Sequence, residues 1–121
     1  ALFLHDLTDR TPHKFHMAFP YGYNTSSPKA AGILCSCKKE PYYSLGIALV
    51  DTPAGNTVRA YNAEKTLCEI LKPISHTDIQ IITDAFKRYA GRKDKNIPLL
   101  SEYAHQLRVE KRLRPYLEVL L

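Results

Sequence analysis

Two carboxylates, Glu64 and Glu69, lie in the stretch YNAEKTLCEIL and are the first candidates for chemistry. Clustered carboxylates are what a nuclease uses to hold magnesium. Five positions apart on a helix these two diverge, so such a site would need Asp51 or Asp78 to be brought in by the fold. Cys35-Ser-Cys37, with His5, His13, His16 and Cys68 elsewhere, offers softer metal ligands. The spacing argues against zinc, because a zinc knuckle usually places two residues between its cysteines, whereas Cys-x-Cys on a strand only puts both on one face. His13 and His16 bracket a strand and point to opposite sides of it. Ser26, Ser27 and the cysteines lack a surrounding motif that would supply a base and an oxyanion hole. The five glycines are scattered rather than gathered into a phosphate-binding loop. These residues call for no cofactor and no metal.

The formal charge of +5 permits contact with nucleic acid, and its distribution says more than its size. Lys87, Arg88, Arg92, Lys93 and Lys95 form one cluster, and Arg108, Lys111, Arg112 and Arg114 a second. Both could contact phosphates, and both could equally be solvated helix faces. Tyr21, Tyr23, Tyr42, Tyr43 and Tyr61 could stack on single-stranded bases, or simply pack on a sheet.

The elements that would carry these groups fall into two halves. A chain of 121 residues with 45% hydrophobic content suits one domain. No apolar run approaches the roughly 20 residues of a membrane span, and three cysteines without a spaced framework fit a reducing cytoplasm. The opening ALFLHDL reads as the continuation of something upstream, so a piece of a longer protein is expected. KFHMAF alternates with Phe15, Met17 and Phe19 on one face, and YGYNTSSPKAAG reads as a loop. Strands are expected at Ile33–Cys37, Tyr43–Val50 and, after the turn DTPAGN, at Thr57–Tyr61. Together they predict an antiparallel sheet of about four strands.

From Asn62 onward the period becomes helical. Asn62 is the N-cap of a helix with Ala63, Leu67, Ile70 and Leu71 inward, Glu64 at the positive end of the dipole, and Lys65 and Glu69 on the opposite face. A helix over His76–Tyr89 has Ile79, Ile82, Phe86 and Tyr89 on its stripe and Gly91 at its end. Ile97–Leu107 follows, with Pro98 in its first turn and Leu100, Tyr103, Ala104 and Leu107 inward. Val109–Leu121 closes the chain with Val109, Leu113, Leu117 and Leu120 inward, and Pro115 should kink or divide it. The expected class is α+β, a sheet from the first half packed with about four helices from the second.

Through nearly its whole length the chain resembles the C-terminal domain of AbiEi-type antitoxins, the antitoxin half of type IV toxin–antitoxin and abortive phage-resistance systems. The resemblance runs through ALFLHDLTDRTPHKFHMAFPYGYN, the central YNAEKTLCEIL, and the helical tail DIQIITDAFKRYAGRKDKNIPLLSEYAHQLRVEKRLRPYLEVLL. Tyr61, Glu64, Lys65 and Thr66 correspond to the central motif, and Asp78, Gln80, Lys95, Asn96 and Tyr103 to the tail. Pro115 departs from the usual helix former at its place. The resemblance implies a non-enzymatic domain that counteracts a nucleotidyltransferase-like toxin. It also implies an upstream winged-helix domain that reads operator DNA, making the whole protein an autorepressor that could act as a homodimer. The central residues would anchor the strand-to-helix junction or contact the toxin. Arg88, Arg92, Lys93, Lys95, Arg108, Lys111, Arg112 and Arg114 are the candidates for nucleic-acid contact. A metal-dependent nuclease on Glu64 and Glu69, or a plain nucleic-acid-binding module, is the alternative.

Overall fold

The computed structural model describes residues 2, 4–8, 16–52 and 55–120. His13 and Phe15 lie outside the described residues, as does the side chain of Leu120. The chain divides into two compact units, Thr11–Leu45 and a second made of Ala1–Arg10 with Gly46–Leu121.

In Thr11–Leu45, strand β1 (His16–Pro20) is followed by a short helix α1 (Ser26–Ala30) and strand β2 (Leu34–Lys38). The strands are parallel, with Met17 opposite Cys35 and Phe19 opposite Cys37. This corrects the expectation of one antiparallel sheet. The stretch expected as a loop carries a helical turn, in which Asn24 accepts the Ser26 amide at 3.0 Å. A connection of that kind returns the chain to the starting end of β1, which is what parallel pairing requires. Tyr23 stacks on Phe19 with 4.9 Å between ring centroids, and the Lys39 ammonium sits 4.8 Å from the Tyr21 ring.

In the second unit, β3 (Ile47–Asp51) and β4 (Thr57–Tyr61) form an antiparallel hairpin in register Ile47 to Tyr61. The expected long strand from Tyr43 begins only at Ile47. Before it, the amides of Tyr43 and Leu45 bond back to Lys39 and Pro41 in turns, and Gly46 takes φ 79. The four strands therefore form two separate two-stranded sheets.

Helices α2 (Ala63–Ile70), α3 (Ile79–Ala90), α4 (Ile97–Gln106) and α5 (Glu110–Leu120) follow. Each of the first three opens on a side chain that accepts an orphan amide: Asn62 from Lys65 at 2.8 Å, Asp78 from Gln80 at 2.7 Å, and Asn96 from Leu99 at 3.1 Å. Their apolar stripes meet in a core of Leu67, Cys68, Ala85, Phe86, Tyr89, Leu100, Ala104, Leu107 and Leu113. Truncating a leucine here to alanine costs about 2–5 kcal/mol. Ile79, expected inward, is 63% exposed at the first position of α3. Pro115 does not divide α5, which continues to Leu120. Leu7 is wholly buried, and its amide bonds to the Leu2 carbonyl at 2.9 Å, so the opening segment belongs to this core. Among the described residues no helix is long and apolar enough to cross a membrane.

Candidate functional site

The hairpin passes into the helices at Tyr61–Thr66, and the polar groups of the second unit converge there. Asn62 ends β4 in extended conformation, and its amide bonds to the Gly46 carbonyl at 2.7 Å. Besides capping α2, it donates from Nδ2 to the Tyr103 hydroxyl at 3.3 Å. The Thr66 hydroxyl donates to the Asn62 carbonyl at 2.8 Å, so one asparagine ties the strand, the helix start and α4 together.

Lys65 is the largest departure from expectation. Read as part of a solvated face, its side chain has no exposure at all. Its ammonium lies 3.7 Å from the centroid of the Tyr61 ring and 3.4 Å from Glu69 Oε1, and Lys72 reaches the same oxygen at 3.4 Å. A ring face and a carboxylate supply the negative potential that water would otherwise supply. Gly46 makes the burial feasible, since a β-carbon there would stand 2.7 Å from Lys65 Cβ.

Glu64 is engaged on the other side of α2. The Tyr89 hydroxyl donates to its Oε2 at 2.5 Å and accepts the Asn96 amide at 2.7 Å. Burial first, and the Glu64 carboxylate second, raise the Tyr89 pKa well above the ordinary tyrosine value, so the hydroxyl stays protonated as a donor. Burial likewise pushes the Cys68 thiol up to about 12, and its Sγ faces the Leu100 carbonyl at 3.6 Å.

Thus Tyr61, Glu64, Lys65, Thr66, Asn96 and Tyr103 are gathered around the start of α2. Asp78 and Gln80 are not; they form the exposed cap of α3. Lys95 lies at the far end of α3, where its ammonium donates to the Ala90 carbonyl at 3.0 Å. His5, weighed in the sequence only as a metal ligand, and Tyr89, only as part of an apolar stripe, are polar contributors to this junction. His5 Nε2 donates to the Tyr61 carbonyl at 2.7 Å, and Arg92 donates to the His5 carbonyl at 3.1 Å while gripping Asp94 through two 2.8 Å bonds. That grip raises the Arg92 pKa and holds the Asp94 carboxyl below its ordinary range. The available signal for Tyr89 was its place on a core stripe, where a buried hydroxyl needs a partner. Nothing local announced His5, whose partner is distant in the chain.

Chemically, the cluster holds shape. Glu64 and Glu69 each already have cationic or hydroxyl partners, and among the described residues no group of three or more His, Cys, Asp or Glu is placed to hold a metal. Of the basic candidates, Arg88 pairs with Asp84 at 3.0 Å and Arg92 with Asp94, while Lys93, Arg108, Lys111, Arg112 and Arg114 are exposed. No family model matches the chain, and no curated protein matches it.

Proposed function

We propose that this chain is the effector domain of an AbiEi-type antitoxin, a non-enzymatic domain that counteracts a nucleotidyltransferase-like toxin. The whole protein would also repress its own operon through an upstream winged-helix domain, as a cytoplasmic homodimer on operator DNA. One observation supports the reading: most of the residues that bear the resemblance, though not Asp78, Gln80 or Lys95, help hold the second unit together. Tyr61, Asn62, Glu64, Lys65 and Thr66 from the central motif, and Asn96 and Tyr103 from the tail, bond to one another or through Tyr89. A motif employed in this way specifies a scaffold, and leaves the toxin-directed surface to exposed residues elsewhere. The nuclease alternative needs carboxylates free to take magnesium, whereas Glu64 and Glu69 are bound within the protein.

The test is growth of cells expressing the cognate toxin together with residues 1–121. Rescue is expected, along with an unrepressed promoter fusion of the operon. Failure of well-folded protein to rescue, or plasmid cleavage in magnesium that a Glu64→Ala variant abolishes, would overturn the reading.

A further inference from the structure

Helix α4 gives way to α5 through a turn whose side chains contradict its backbone. The Val109 amide reaches back to the Ala104 carbonyl at 2.9 Å and the Arg108 amide to His105 at 3.2 Å, a helix stop that places Arg108 in the left-handed region at φ 60. Glycine is the usual residue there, because a β-carbon is disfavoured. Lys111, Arg112 and Arg114 follow in the opening turns of α5, the positive end of its dipole, where cations are also disfavoured. Val109 and Leu113 are buried, so the cations occupy the solvent side. Among the described residues none of these four side chains has a hydrogen-bond or ion-pair partner. The nearest carboxylate in sequence, Glu110, is drawn to His105 Nδ1 at 2.9 Å.

Three residues of the first basic cluster behave differently. Arg88, Arg92 and Lys95 are held by Asp84, by Asp94 with the His5 carbonyl, and by the Ala90 carbonyl. Arg108 in the left-handed region and three cations without partners in the opening turns of α5, offset there only by Glu110, mark a surface kept for something outside the molecule. The ligand must be anionic. Three of the four groups are guanidiniums, whose forked donors match phosphate oxygens. Among the described residues the corner exposes no large apolar side chain, the anchor that a protein interface needs at its centre.

We propose that Arg108, Lys111, Arg112 and Arg114 form a sequence-independent contact for the phosphate backbone of nucleic acid. This contact stands apart from the toxin reading, since its ligand and its assay are different.

The experiment titrates the 121-residue chain into a labelled duplex of mixed sequence between about 50 and 200 mM salt, following fluorescence anisotropy. Arg108→Gly removes the charge while easing the backbone, so its melting temperature should match or exceed that of the parent. The salt slope of log affinity should fall by about one for Arg108→Gly and by about three when Lys111→Gln and Arg114→Gln are added. Lys93→Gln, an exposed charge elsewhere, should change the slope by much less. An unchanged slope in the triple variant, or an equal fall for Lys93→Gln, overturns the proposal. So does a triple variant that keeps its DNA affinity but no longer rescues cells from toxin, because the corner then serves an acidic protein surface.

Discussion

The Lys65 ammonium lies over the Tyr61 ring at 3.7 Å, across the junction where the last strand becomes the first long helix. Removing the ring while keeping an apolar residue isolates that contact. Tyr61→Leu should cost about 1–2 kcal/mol in urea unfolding, the range for a desolvated cation on an aromatic face. Lys65→Met, which keeps the packed stem and leaves Glu69 paired with Lys72, should cost less than Lys65→Ala. The reverse order would mean that the packed stem contributes nothing to stability.

Glu64 and Tyr89 offer a second test. Tyr89→Phe deprives both the Glu64 carboxylate and the Asn96 amide of their partner, and should cost about 1–3 kcal/mol. A loss below a few tenths would show that water replaces the hydroxyl without penalty.

Gly46 and Gly55 share positive φ values of 79 and 87 and differ in their surroundings. Gly55→Ala meets nothing within 4 Å and should cost only the left-handed penalty, about 1–2 kcal/mol. Gly46→Ala would press on Lys65 and should cost a further 1–3 kcal/mol or so. Equal melting temperatures for the two variants would remove Lys65 from the explanation.

Alkaline pH should unfold the second unit by a defined route. The Cys68 thiol rises from an ordinary 9.0 to about 12 in the fold, so the unfolded chain loses this proton first. The stabilisation is therefore complete below about pH 9 and is lost as pH climbs towards 12, and Tyr89, raised in the same direction, adds to the loss. Melting temperatures taken across that range should fall more steeply for the parent than for Cys68→Ala. At neutral pH a thiol reagent should reach exposed Cys37 promptly and buried Cys68 only on unfolding.

The helical half was legible because its information is local. Asn62, Pro98 and the stripe of Leu100, Tyr103, Ala104 and Leu107 each declare their role within a few residues. The partners of the strands were not, since β1 and β2 are parallel only because α1 returns the chain, and a five-residue helix without a capping side chain at Thr25 resembles a loop. Lys65 was misread for a related reason. A lysine flanked by Glu64 and Thr66 looks solvated until the Tyr61 ring, Glu69 and the absent β-carbon of Gly46 are assembled around it.

His5 is far in sequence from its partners, 56 positions to Tyr61 and 87 from its carbonyl to Arg92. Thr11–Leu45 forms its own unit between the two parts of the other. Closing loops of that length costs chain entropy, while α2 to α5 can gather through nearer contacts. During synthesis the partners of His5 are made long after it. Residues made early must wait, exposed, for residues made later before they find their place.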